Sequence, residues 1–450
     1  MTLRLASFGV RGFVGQSLTP RVAMDFAAAF GTFVDGGRVL LGRDTRYSSP
    51  MLHSAVTASL LSCGCEVLDF DICPTPVLQF SVKPYEATGA LSITGGHNAM
   101  GWNALTLLGA DGAFLEPTSG EPLLGAFHAV DFVKRDALNV GSRVAQADYF
   151  APYLRALAKM VNRDAICRAN FTVLIDPVGG AGCPFLDAFS QAFNLNLVAI
   201  NGEPSGYLAR DPEPRPRTAR QMASFIRHVS GHVGFVLSSD MGRLSLVAET
   251  GEPLSEEYTL PLLVRHLLKQ RAGPVVTNSC TSRMVDDITA AAGVELLKTP
   301  VGQAYVVAKM ADEQARVGGE GSGSAAVPEF SRGFDGFLMM ALVLEQMASS
   351  GEPLSALVRS LPPYHMVKRS IKAGSRAAYR VLEIFHSEVM RFGAERIDLT
   401  DGIRLEWEDG WLHVRASHTE QLIRVLSEAR SREVAMRRAE KALRLIGQEL

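Results

Sequence analysis

Arg38-Val-Leu-Leu-Gly-Arg-Asp-Thr-Arg46, followed by Glu66-Val-Leu-Asp-Phe70 and Ala90-Leu-Ser-Ile-Thr-Gly-Gly-His-Asn98, decides the fold class of this chain. Each stretch begins with a short apolar run and gives way to polar residues or breakers. Apolar runs of this length, bounded by breakers, read as buried strands. Between the first two, Met51 to Ser62 has the length and spacing of a helix. Strand–loop–helix alternation builds a mixed α/β sheet with helical crossovers. The pattern restarts at Phe171-Thr-Val-Leu-Ile175, continues at Gly234-Phe-Val-Leu237 and restarts again at Gly273-Pro-Val-Val-Thr277. Leu361-Pro-Pro-Tyr364 reads as a linker. Beyond it, Ile397 to Val414 reads as short antiparallel strands with a turn at Glu408-Asp-Gly410. Glu420 to Leu450 reads mostly as an amphipathic helix whose arginines form a solvated face.

The chain has 450 residues, too many for one hydrophobic core. Its borders are expected near 145, 255 and 365, giving units 1–145, 146–255, 256–365 and 366–450. A hydrophobic share of 47% and a charged share of 20% are those of an ordinary globular protein. The formal net charge of -2 offers no electrostatic case for nucleic acid or membrane partners. The cysteines at 63, 65, 73, 167, 183 and 280 have no paired metal spacing and read as free thiols in a reducing compartment. The first residues carry no long apolar run, and no stretch reaches the ~20 apolar residues of a membrane span. A cytoplasmic location without signal peptide is the expectation.

Ligands of α/β sheets gather at the carboxyl ends of strands. The loops there are Gly9-Val-Arg-Gly12, Thr94-Gly-Gly-His-Asn98 with Trp102-Asn103, Ser238-Ser-Asp-Met-Gly-Arg243 and Gly318-Gly-Glu-Gly-Ser-Gly-Ser324. A fifth, Arg415-Ala-Ser-His-Thr-Glu420 with Arg424, offers a guanidinium fork and two hydroxyls, a good cradle for phosphate oxygens. Taken singly, a glycine-rich loop reads as a turn, and the arginine loop also fits a surface salt-bridge loop.

In order and spacing, these loops resemble the α-D-phosphohexomutases, which include phosphoglucomutase, phosphomannomutase and phosphoglucosamine mutase. Gly42-Arg-Asp-Thr-Arg46-Tyr-Ser, Cys73-Pro-Thr-Pro76, Asp176-Pro-Val-Gly-Gly-Ala-Gly182, Thr299-Pro-Val-Gly302 and Phe334-Asp-Gly336 add to the match. The resemblance implies four domains around a central cleft: three mixed α/β domains and a smaller C-terminal α+β domain. It also implies phosphoryl transfer through a phosphoserine and a magnesium ion held by three aspartates, with a lysine for acid/base work.

The departures from that pattern concentrate on the transfer chemistry. Gly96 stands at the serine position and Thr106 at the lysine position. The metal loop keeps Asp240 but has Ser238 and Gly242 for its other carboxylates. Ser92 lies before the loop, on the preceding strand. The expectation is therefore no cofactor, with magnesium binding weak or lost. The grips are better kept. Glu320 and Ser322 match the sugar loop, with Ser324 for its histidine. Arg415, Ser417, Thr419 and Arg424 match the phosphate loop, with Ala416 and Gln421 for its prolines. Arg11 and His97 stand at family active-site positions.

Three readings follow. The first is a non-catalytic binder of a phosphorylated sugar or sugar-like metabolite, acting as a sensor or beside an active enzyme. The second is an enzyme of different chemistry, such as elimination, epimerisation or isomerisation, drawing on His97, Asp240, Asp44 and Arg11. The third is a mutase with an unrecognised nucleophile. Each of those groups also has a plain alternative: Asp44 pairing with Arg43 or Arg46, His97 bracing its loop, and Asp240 and Arg11 pairing with neighbouring charges. Both monomers and homodimers fit the resemblance.

Overall fold

The computed structural model describes residues 3–6, 8–116, 120–417 and 422–447. Four sheets follow one another along the chain. The first has seven strands in the order Arg4–Ala6, Gly9–Phe13, Trp102–Gly109, Gly89–Ile93, Arg38–Arg43, Glu66–Ile72, Ser142–Ala145. Its centre is parallel: Arg38–Arg43 pairs with both Glu66–Ile72 and Gly89–Ile93. Burial on both faces explains the near-continuous apolar runs there. The second sheet orders as Leu244–Ala248, Val233–Leu237, Thr172–Asp176, Asn196–Ala199, and the third as Leu296–Thr299, Val275–Asn278, Val317–Glu320, Ser324–Ala326. The fourth is antiparallel: His365–Lys372, Leu422–Ala429, Gly410–Ala416, Ile403–Trp407, Arg396–Asp398.

Local chemistry sets the helix starts. Pro20–Phe33 begins with proline in its first turn, and the Thr19 hydroxyl accepts from the Val22 amide. Asp335 caps Gly336–Ser350, accepting from Leu338 N, and also takes the Tyr153 hydroxyl at 2.9 Å. One continuous core runs through the first three sheets, from Leu40 through Tyr153, Phe235 and Phe337 to Tyr364. The fourth sheet has a core of its own, including Phe385, Leu405, Val414, Val425 and Ile446.

One expectation is corrected. The tail is not helix from its start: Leu422–Ala429 is a strand, and the helix spans Arg432–Gly447. The strand lies between His365–Lys372 and Gly410–Ala416. Pairing on both edges outweighs the helical tendency of its leucines and glutamate. No helix among the described residues is long and apolar enough to cross a membrane.

Candidate functional site

The loop after Gly89–Ile93 is built around a buried ion pair. Arg46 and Asp44 are both fully buried, with Nε 2.9 Å from Oδ2. The Arg46 guanidinium donates onward to the carbonyls of Gly96 (2.9 Å), Asn98 (2.7 Å) and Ala99 (3.1 Å). Asp44 accepts from the hydroxyls of Ser49 (2.6 Å) and Thr94 (2.8 Å) and from Arg46 N (3.0 Å). Asp44 is thus a structural brace paired with Arg46, while Arg43 pairs with Asp71. The loop carbonyls turn inward onto the guanidinium, which fixes the loop's shape.

Gly96 has φ of +53°, and a Cβ placed on it would stand 3.0 Å from Asp240 Oδ2. Residue 96 therefore points at Asp240 across the junction of the first two units. Ser239 Oγ closes the junction by donating to Gly96 O at 2.8 Å. Asp240 Oδ1 accepts from Ser238 Oγ at 2.6 Å and Gly242 N at 3.1 Å. Ser92 is buried in its strand and shares a 2.9 Å hydrogen bond with Thr75. Thr106 stays in the sheet, in register with Gly9 and Ser92.

His97 keeps some surface exposed, yet protein encloses it deeply. Burial, and then the charges of Arg243, Arg11, Arg424 and Arg215, hold its pKa well below the ordinary histidine value. The imidazole is neutral at physiological pH. These arginines come from three different units, so positive charge from several parts of the chain acts on the loop at Gly96. Arg215 and its partner Glu213 are absent from the sequence reading. Glu213 lies 2.5 Å from Arg215 Nη2 and 3.1 Å from Arg243 Nη1, holding both side chains in place. The run Asp211-Pro-Glu-Pro-Arg-Pro-Arg217, with prolines alternating with charges, was the available signal.

The other grips lie on the third and fourth units. Glu320 Oε1 accepts from Asn278 Nδ2 (2.8 Å) and Gly302 N (3.0 Å), and Ser322 Oγ lies 3.5 Å from Oε2. Glu320 is thereby fixed through one oxygen. Arg415 is buried, 3.5 Å from Asp401. It stands directly across the ladder from Arg424. Like charges directly opposite one another cost stability, and Asp401 beside Arg415 offsets part of that cost. Ser417 N donates to Leu422 O at 2.9 Å. Thr419 lies outside the described residues.

Comparison with known proteins places the whole chain. Four profiles match in order: phosphoglucomutase/phosphomannomutase alpha/beta/alpha domain I over residues 5–134, domain II over 151–251, domain III over 244–364 and the C-terminal domain over 368–445. The chain belongs to the phosphoglucomutase/phosphomannomutase family. A phosphoglucomutase/phosphomannomutase of Thermococcus kodakarensis is 31% identical, covering 99% of this chain and 98% of the relative. A solved family protein from Burkholderia thailandensis superposes with a TM-score of 0.85 at 23% identity, covering 98% of this chain and 96% of that one. N-acetylphosphoglucosamine mutase of Aspergillus fumigatus, solved with GlcNAc-6P and magnesium, superposes with a TM-score of 0.57 at 16% identity, covering 92% and 83%.

Family membership corrects the expectation that no cofactor is needed, because phosphohexomutase relatives at about 30% identity are magnesium enzymes. That expectation counted protein carboxylates alone. Magnesium is commonly held by one or two carboxylates together with substrate phosphates. Among the described residues no group of three or more His, Cys, Asp or Glu could hold a metal, and the carboxylate of this loop that would contribute to one is Asp240. Its Oδ1 is engaged by Ser238 and Gly242, and Oδ2 faces residue 96. This donor set fits an ion shared with a ligand's phosphate oxygens. A bound magnesium would supply positive charge against a phosphate at that point.

Proposed function

We propose that the cleft binds a phosphorylated sugar carrying two phosphates, and that phosphoryl transfer through residue 96 does not occur. The observation that carries this reading is two groups of arginines, one from the first two units and one from the fourth, that Arg424 joins. One comprises Arg11, Arg215 and Arg243 around His97; the other is Arg415 beside Asp401, with its ladder partner Arg424 contributing to both. Guanidinium groups bind phosphate through parallel N–H donors, which gives orientation as well as charge. Glu320 keeps Oε2 toward Ser322, where a sugar hydroxyl can donate to it. His97 is neutral and adds a dipole, while the arginines supply the charge. Gly96 has no atom to carry a phosphoryl group, and Ser92 is committed to Thr75 inside the sheet.

The test is calorimetric titration with glucose 1,6-bisphosphate, hexose monophosphates and inorganic phosphate, with and without magnesium, followed by phosphorus and proton NMR. The bisphosphate should bind more tightly than either monophosphate, with no change in any resonance over hours. Arg415→Ala should weaken every phosphosugar by about tenfold or more. Equal affinity for mono- and bisphosphate would remove the two-centre argument. Movement of phosphate between carbons, or labelling of the protein, would establish a mutase with another nucleophile. A changed sugar that keeps its phosphate would establish different chemistry.

A further inference from the structure

The fourth unit meets the third through polar contacts, and one of them reaches the sugar loop. Lys368 Nζ lies 2.7 Å from both Glu256 Oε1 and Glu257 Oε1. Both carboxylates sit in the short helical turn Glu256–Tyr258 and are buried. Glu257 Oε2 accepts from Ser282 N at 3.2 Å. It also lies directly against the sugar loop: a Cβ on Gly321 would stand 2.1 Å from that oxygen. Gly321 lies between Glu320 and Ser322, so glycine is required there for Glu257 to approach. At the other end, Lys368 belongs to the strand His365–Lys372. Two residues further along, Ser370 is in register with Arg424, and Arg424 with Arg415. A path thus runs from the sugar loop through Glu257 and Lys368 to the strand beside the phosphate arginines, alongside a second one from Glu320 through Gly302, Val301 and Asp401 to Arg415.

We propose that Lys368 and the Glu256–Glu257 pair are positioning residues that set the spacing between the sugar loop and the phosphate arginines. This rests on the phosphosugar reading of the cleft. The two units have separate cores, so apolar packing alone does not fix their distance. An ammonium held by two carboxylates supplies a short, directional tie at the seam. About a third of the Lys368 side chain remains accessible, and a cavity of about 330 Å3, lined by Glu257, Lys368, His365, Glu428 and Arg432, opens beside it. Solvent can therefore reach the tie.

The charge balance makes it sensitive to pH. The groups facing Glu257 are Lys368, Glu256, Glu428 and Cys280. Burial pushes Glu257 up to about 7, against the pull of Lys368 and with the help of Glu256 and Glu428. Below that value Glu257 takes up a proton, and Lys368 keeps one charged partner instead of two. The spacing loosens as pH falls.

The experiment uses the full chain with Lys368→Met, Lys368→Arg and Glu257→Gln. Calorimetry with glucose 1,6-bisphosphate and with inorganic phosphate is paired with hydrogen exchange of residues 318–324 and 365–372 in the unliganded protein. Lys368→Met should lower bisphosphate affinity by about tenfold, leave inorganic phosphate unchanged because it needs only one cationic centre, and raise exchange in both segments. Lys368→Arg should restore most of the loss. Glu257→Gln should match the parent at pH 6 and bind more weakly than the parent at pH 8. A folded Lys368→Met variant with unaltered affinity and exchange overturns the proposal. If the parent binds no phosphosugar, the reading of the cleft fails, and the exchange arm alone decides whether the tie exists.

Discussion

Arg46→Met tests how the site loop is held. In the native chain, Arg46 neutralises Asp44 at full burial and donates to the carbonyls of residues 96, 98 and 99. Removing it leaves Asp44 as an uncompensated buried charge, a change that costs about 3–5 kcal/mol. The stranded carbonyls add to this, each by about 1 kcal/mol or more, though not additively. A working figure of about 4 kcal/mol is a large share of a domain stability of about 5–15 kcal/mol. With an m-value of about 2 kcal/mol per M, the urea midpoint of the first unit falls by about 2 M. Trp102 follows that unit, since its amide donates to Ala99 O beside the loop. Trp407→Phe and Trp411→Phe remove the other indoles, leaving one of the chain's three tryptophans. Replacing both partners, as in Asp44→Asn with Arg46→Met, eliminates the stranded charge and should recover about half of the lost stability. Arg46→Lys should fall between, keeping the ion pair but losing the planar fork. A midpoint for Arg46→Met within about 0.3 M of the parent would refute the brace.

Two further predictions concern charge in the cleft. Asp240→Asn should abolish any tightening of phosphosugar binding by magnesium while leaving metal-free affinity the same or higher, read by titration with and without the ion. The opposite pattern would place the metal elsewhere. The depressed pKa of His97 has a stability consequence of definite sign. Below an unfolded value of about 6.5, the unfolded chain binds a proton that the native chain refuses, so stability falls as pH drops through that window and is intact above it. His97→Asn should flatten that part of the profile. A His97 imidazole titrating near pH 6.5 by NMR in the free protein would contradict its burial among the arginines.

The parallel strands were legible because burial on both faces writes apolar runs into the sequence. Arg38–Arg43, Glu66–Ile72 and Gly89–Ile93 all appear where such runs stand. Leu422–Ala429 was not legible as a strand, because what selects it is hydrogen bonding from neighbours at 365–372 and 410–416. The motif residues at 96, 240, 320 and 415 could be marked because their loops resemble those of the phosphohexomutases. Arg215 could not, since its charge matters only where the loop around Glu213 folds back toward His97. The magnesium expectation failed for a related reason: counting carboxylates in a loop leaves out the oxygens that a ligand supplies.

By itself the sequence determined the α/β alternation, the order of the loops and the glycine at residue 96. These are local properties, written in periodicity and residue identity. Only the tertiary structure decided that residue 96 points at Asp240, that arginines from three units converge on one imidazole, and that Glu257 stands behind the sugar loop. Each of these depends on groups far apart in the chain, and close approach across domain junctions is set by packing, which no local pattern records.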